Sequence, residues 1–412
     1  ILLEVLDEIS LLYHEILLED KDAGVARKYL ASRGIKPETI KKFRLGFAPE
    51  GNYIVTKFKK YDLSTLYKAG VINFYQQENE TDINKKYDRP YDYFRGRIIF
   101  PVYNISGQVI SFGGRILPES IGSLKNVPTY LNGPETVVFN KGSSLYGLFH
   151  AKDEIVKKQM VNVVEGYMDV LILHQENFVN TVAPLGTALT EAQLRILRRI
   201  TENVYLIFDP DQSGRNATIS VASTIYKNDM FPQTVMIPDN MDPDEYILHY
   251  GSQKFQELLF KPQSVIKFII DHYLKILEKN DIKTLSTKEK MSVLKKIVEI
   301  ITVITNPVAK SDAIKETSEN LEVSEDILRT ELKKHLKKSF ADKEEIIGSP
   351  KKPYSCEEEL LYLCIHNPQI LSEVPCEVFE HNLEYLHILK KIKEVFSITN
   401  DISQVIKELQ SP

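Results

Sequence analysis

The sequence predicts an α/β plus α protein: a mixed α/β N-terminal subdomain, a parallel α/β unit, a helical subdomain and a partial C-terminal helical domain. Three observations carry that expectation. Over 141–262, apolar runs (VNVVEG, VNTVAP, VYLIFD, TVMIP) alternate with helical segments (YMDVLILHQ, EAQLRILRRI, RNATISVASTIYK). Strands alternating with helices pair in parallel through right-handed crossovers. Upstream, 51–140 is richer in Gly and Tyr, with β-like runs RIIFPVYN and QVISFGG. Downstream, 263–340 shows long 3.6-period segments and few glycines.

In chain order, ILLEVLDEISLLYHEILL carries acidic residues at helical spacing and no basic leader, so it reads as an amphipathic helix and not a signal peptide. AGVARKYLASRGIKPETIKKF predicts two helices with RGIKPE as the turn. The dipeptides Ser-Gly and Gly-Gly over 51–140 predict hairpins. The boundaries expected are 1–140, 141–262, 263–340, a polar Gly- and Pro-bearing linker over 341–355, and a helical segment over 356–412. The absence of an initiator Met suggests a piece of a longer chain.

Composition narrows the class. At 412 residues, two to four domains are expected. Hydrophobic residues at 43% and charged residues at 26% fit a soluble globular protein, and no apolar run reaches the roughly 18 residues of a membrane span. A cytoplasmic location is expected. Cys356, Cys364 and Cys376 form no CxxC pair, and their odd number argues against a disulfide framework. Net charge is −5, but it is unevenly spread: 20 Lys+Arg against 11 Asp+Glu over 21–141, then 10 against 15 over 142–262. A basic part followed by an acidic part suits a chain that grips phosphates with one and metal ions with the other, although uneven solvated charge has the same appearance.

Three acidic sites each follow a predicted strand: Glu165 in VVEGYMD, Asp209 and Asp211 in IFDPDQSG, and Asp242-Pro243-Asp244-Glu245 after TVMIP. Carboxyl ends of parallel strands share one edge, where ligands bind. Carboxylates brought together there repel unless a cation neutralises them, and Mg²⁺ takes hard oxygen ligands. Each site has a plainer reading. Glu-Gly after a strand is often a turn. Asp-Pro-Asp-Glu fits a helix start, with Asp242 as N-cap. The Asp209-x-Asp211 spacing opens like a calcium loop but has Ser220 where Glu is needed. On the basic side, Arg95 and Arg97 stand two apart, on one face of a predicted strand. Gly113-Gly114-Arg115 allows close backbone approach to a ligand or forms a tight turn, and Lys141-Gly142 opens the α/β unit. There is no Gly-Lys-Ser/Thr phosphate loop, and the histidines form no HxH or HxxxH cluster, with His174 a packing residue on an apolar helix.

In order, EGYMD, APLGTALT, FDPDQSG and DPDE resemble the toprim domain, found in topoisomerases, some nucleases and bacterial primases. RGRIIFPV, ISFGGRIL, YLNGPET and FNKGSSLYGL, with the earlier YLASRGI and FRLGFAP, resemble the DnaG-type bacterial primase core over roughly 10–260. The resemblance implies a primase that joins ribonucleoside triphosphates on single-stranded DNA. It places Mg²⁺ (or Mn²⁺) at Glu165, Asp209, Asp211, Asp242 and Asp244 with Asp169 in support, and Glu165, Asp209 and Asp211 as catalytic. It assigns nucleotide and DNA binding to Arg95, Arg97, Arg115, Asn132 and Lys141. It also implies contact of 356–412 with a replicative helicase, and puts the family's zinc domain upstream of Ile1, so that zinc is not expected here. Two positions depart from the family: Pro210 replaces a Gly between the aspartates, and Thr129 replaces a Lys before YLN, a role Lys125 could take. A toprim topoisomerase or nuclease and a non-catalytic replication adaptor are the competing classes.

Overall fold

The computed structural model describes residues 1–75, 89–117, 127–186, 188–209, 211–346, 388–390 and 393. The chain divides into two units, Ile1–His335 and Leu336–Pro412. The first begins with the helix Leu2–Glu19, which buries Val5, Leu6, Ile9, Tyr13, Ile16 and Leu17 at helical spacing. The helices Gly24–Ser32 and Pro37–Lys42 follow, with Pro37 opening the second where its missing N–H loses nothing.

The strands, in chain order, are β1 (Gly46–Ala48), β2 (Ile72–Phe74), β3 (Pro90–Asp92), β4 (Arg97–Tyr103), β5 (Val109–Ile116), β6 (Tyr130–Asn132), β7 (Val161–Val163), β8 (Thr181–Val182), β9 (Asn203–Leu206), β10 (Phe231–Thr234) and β11 (Gln263–Ser264). β1, β4, β5 and β6 form an antiparallel sheet in the order β1-β4-β5-β6, and β2 pairs with β3. The Ser-Gly hairpin forms between β4 and β5, where Gly107 takes φ +86° and Asn104 Oδ1 accepts from Ser106 and Gln108 N–H. Gly113-Gly114 makes no turn. Both glycines lie within β5, and Gly113 leaves no room for a side chain: a Cβ there would lie 2.4 Å from the Tyr167 hydroxyl.

The second sheet runs β11-β10-β9-β7-β8. β7, β8, β9 and β10 are parallel, as alternation with helices predicts, and β11 adds an antiparallel edge where helix alone is expected. The last parallel strand covers 231–234, ahead of most of TVMIP. Val235 still pairs through its N–H with Leu206 O. One apolar cluster joins the N-terminal helices, the antiparallel sheet and the helix Tyr167–Gln175. Another joins the helices Gln212–Lys227, Val265–Ile276, Thr287–Val303 and Pro307–Leu321.

The helix Glu325–Ile346 continues through 341–346, so the first part of the expected linker is helical. Residues 388–390 and 393 are helical too. The remainder of 347–412, with the three cysteines and nearly all of the expected helicase-contacting segment, lies outside the described residues. Among the described residues no helix is long and apolar enough to cross a membrane.

Candidate active site

Strand order decides where the acids meet. From β7 the chain moves to β8 on one side; from β9 it moves to β10 on the other. Connections leaving in opposite directions open a crevice at the carboxyl ends of β7 and β9. Glu165 stands just beyond β7 and Asp209 just beyond β9, and Glu165 Oε1 accepts a 2.9 Å hydrogen bond from Asp209 N–H. Gly214 makes that approach possible: a Cβ there would lie 2.3 Å from Asp209 O and 2.8 Å from Glu165 Oε1.

The other acids have structural partners as well. Asp211 caps the helix Gln212–Lys227, accepting from Gly214 N–H at 2.7 Å. Asp242 is the N-cap of the helix Pro243–Tyr250, with Pro243 in its first turn and no side-chain capping bond. Asp169 Oδ2 accepts from Gly166 N–H at 3.1 Å, and Asp169 Oδ1 accepts from Asp244 N–H at 3.3 Å. Asp244, almost fully buried, pairs with Arg33 at 2.5 Å. Pro210, between the paired aspartates, lies outside the described residues.

These carboxylates share one electrostatic field. Burial, then Glu165, Asp242, Asp211 and Asp244, pushes Asp209 up to about 7. Burial also raises Glu165, with Asp211 and Asp242 adding to it and the Asp209 N–H opposing it. Asp242 is raised by burial, Asp244 and Glu245. Asp169 is pushed well above the carboxylate range by burial and by Asp244 and Asp209. Among the described residues, no three His, Cys, Asp or Glu side chains are already arranged around one point. The acids therefore adjoin without converging. Their all-oxygen donors and mutual repulsion still fit a hard divalent cation.

On the basic side, the sequence-based expectations need correction. Arg95 precedes β4 in a turn with Gly96 at φ +59°, so it does not share a strand face with Arg97. It is exposed, donates to the Tyr75 hydroxyl at 3.2 Å and covers the Tyr91 ring at 5.0 Å. Arg97 is 3% exposed and spends its guanidinium on three carbonyls: Gly114 at 3.2 Å, Thr129 at 3.1 Å and Pro128 at 2.9 Å. It braces the backbone beneath a 480 Å³ groove also lined by Arg95, Tyr93 and Leu131. Thr129 gives Arg97 its carbonyl; Lys125 lies outside the described residues.

Arg115 lies over Tyr29 at 4.3 Å and Tyr130 at 5.5 Å, and its Nε donates to the Tyr130 hydroxyl at 3.1 Å. Asn132 links the two sheets: its Oδ1 accepts from the Tyr167 hydroxyl at 2.6 Å, and its Nδ2 donates to Leu185 O at 3.0 Å. Lys141 opens a short 3₁₀ turn held by Gln193, which donates to Lys141 O at 3.0 Å. His174 packs edge-on to Phe43 with Nε2 against Thr181 O at 2.8 Å, a core role.

Two residues escaped the sequence reading. Tyr167, in EGYMD, stacks on Phe100 at 4.8 Å and crosses Gly113 to reach Asn132. Its signal was the pairing of a motif tyrosine with a motif glycine. Arg33 had none, since 211 positions separate it from Asp244.

Comparison with known proteins adds family to this geometry. Residues 13–152 match the family model described as DNA primase catalytic core, N-terminal domain, and 162–247 match a Toprim-like model. The DNA primase of Halalkalibacterium halodurans is 32% identical over 333 residues, covering 80% of this chain and 53% of that protein. The chain belongs to the DnaG-type family of bacterial DNA primases. A DNA primase domain from Pseudomonas aeruginosa aligns with TM-score 0.69 and 28% identity, over 81% of this chain and 99% of that one. A DnaG primase catalytic domain bound to ssDNA aligns with TM-score 0.65 and 28% identity, over 79% and 97%. The fold is thus that of the DnaG catalytic core, with a toprim-like parallel sheet that carries divalent-metal binding as a family property. The chain spans about half the length of the curated relatives it matches.

Proposed function

We propose that this chain is the catalytic core of a DNA primase, joining ribonucleoside triphosphates into a short RNA on a single-stranded DNA template. The observation that carries it is the meeting of Glu165 and Asp209 across the β7–β9 crevice, beside Asp211, Asp242 and Asp244. Family membership supports it, and so does the structural relative bound to ssDNA.

In this reading Glu165 and Asp209 hold Mg²⁺, or Mn²⁺ in its place, with Asp211 and Asp242 beside them and Asp169 and Asp244 behind. Bound there, the metal supplies Lewis-acid stabilisation of the attacking and leaving oxygens. The protein's own groups do the rest. Arg95 and Lys141 offer cations to phosphates of the template or incoming nucleotide. Arg115, flanked by tyrosines, offers a donor fork beside two ring faces. Arg97 and Asn132 act at one remove: Arg97 keeps the groove floor rigid, and Asn132 with Tyr167 sets the acidic loop against the antiparallel sheet. The segment 356–412 is the candidate contact for a replicative helicase.

The test is metal-dependent incorporation of labelled ribonucleotides on single-stranded DNA. The reading expects RNA product with Mg²⁺, none in chelator, and product lowered by roughly a hundredfold or more in Glu165→Gln and Asp209→Asn. Product from both variants at wild-type yield overturns it.

A further inference from the structure

Arg33 ends the helix Gly24–Ser32, far in sequence from the acids, yet its Nη2 lies 2.5 Å from Asp244 Oδ2. The Asp244 side chain is 3% exposed and that of Arg33 is 34% exposed. The carboxylate is therefore inside while the cation keeps a route to solvent. From Asp244 the connection continues inward: its N–H donates to Asp169, and Asp169 accepts from Gly166 N–H, next to Glu165. Asp244 also contributes to the field on Asp169, Asp209 and Asp242. One positive charge held at Asp244 thus opposes the repulsion that Asp244 adds at Asp169, Asp209 and Asp242. Removing the partner of a buried carboxylate is strongly destabilising, so without metal this pair carries much of the site's order. A divalent ion that recruited Asp244 would need the same carboxylate.

We propose that Arg33 is a resident counter-cation of the acid site, holding Asp244 and through it Asp169 in the metal-free protein and competing with a divalent ion for the Asp244 carboxylate. This rests on the acid cluster being the metal site. On metal binding the Arg33 guanidinium is released beside Tyr29 and Tyr130, the rings that Arg115 covers. There it is placed to meet a phosphate.

The experiment measures Mn²⁺ affinity of the full chain without nucleotide, from the electron paramagnetic resonance of the free ion, alongside melting curves in EDTA. Arg33→Gln is expected to lower Tm in EDTA and to bind Mn²⁺ about five-fold more tightly, as loss of one nearby charge predicts. Saturating Mn²⁺ is expected to restore most of the lost Tm. Arg33→Lys keeps the charge but not the planar fork, so its affinity is expected to fall between the two. Should Arg33→Gln melt below the assay temperature, Arg33→Lys carries the test. Unchanged or weaker Mn²⁺ binding by the variants, with binding still abolished by Asp209→Asn, overturns the counter-cation role alone. No Mn²⁺ binding by any form overturns the metal-site reading and this role with it.

Discussion

The two sheets handle charge in opposite ways. At the parallel sheet, carboxylates are partly buried next to one another, and Asp209 is raised to about 7. At the antiparallel sheet, two of the cations are held by the protein itself, Arg97 by three carbonyls and Arg115 by two tyrosine rings, while Arg95 stays exposed beside Tyr75 and Tyr91. The acidic side is thus poised for a cation it does not supply beyond Arg33. The basic side is largely assembled before any ligand arrives. A charge that stays unneutralised in the fold is a better guide to ligand chemistry than a charge that is merely present.

The sharpest way to break this contrast is to remove an unneutralised acid. Asp209→Asn is expected to lower ribonucleotide incorporation by roughly a hundredfold or more, the scale of losing a group that stabilises transition-state charge. The same change should raise Tm of the metal-free protein, because it removes repulsion with Glu165 and Asp242. Activity lost together with a falling Tm would put Asp209 among the residues that hold the fold.

Arg97→Ala should behave in the opposite way. It leaves the buried Gly114 carbonyl and the part-buried Thr129 and Pro128 carbonyls without their donor, at a cost of about 2 kcal/mol in stability. Denaturant unfolding measures that loss, and near-wild-type stability would return Arg97 to the ligand-binding group.

The interface behind both sheets supplies a pH test. Phe43 lies between His150 at 4.4 Å and His174 at 5.1 Å. Burial, then the Lys42 charge, holds His150 down to about 4, and burial holds His174 to about 3. Between an unfolded value near 6.5 and those folded values, the unfolded chain binds protons that the folded chain refuses. These histidines therefore cost no stability above about 6.5 and lower it progressively as pH falls toward 4. The raised acids pull the other way, so the wild type must be compared with His150→Phe. The variant is expected to gain on the order of 2 kcal/mol relative to wild type between pH 7 and pH 4.5. Parallel stability curves for the two proteins would refute a buried neutral His150.

The smallest effect belongs to Arg95, exposed and held by one hydroxyl and one ring face. Arg95→Ala is expected to leave Tm unchanged and to reduce the log–log salt slope of single-stranded DNA binding by about 0.7, one phosphate contact. A salt titration by fluorescence anisotropy decides it.

Much of this was legible because the signals were local. Apolar runs alternating with helical segments specify the parallel strands β7, β8 and β9, since burial on both faces demands continuous apolar residues, whereas β10 forms at Phe231–Thr234, ahead of most of its expected run. Their carboxyl ends, and with them Glu165 and Asp209, follow from chirality and connection rules that hold for any such sheet. The Ser-Gly hairpin was legible because a positive φ at Gly107 closes it. The Gly-Gly pair was misread because glycine is equally suited to a turn and to close packing, and only the Tyr167 ring lying over Gly113 distinguishes them.

The sequence by itself indicated the fold class and the strand-end position of the candidate acids, because periodicity and strand-end position are properties of neighbouring residues. Tertiary structure alone decided that Arg97 faces carbonyls, that Asn132 and Tyr167 fasten the two sheets, and that Arg33 reaches Asp244. Those roles depend on which distant group lies within hydrogen-bond reach of a side-chain tip, and no local pattern encodes that distance.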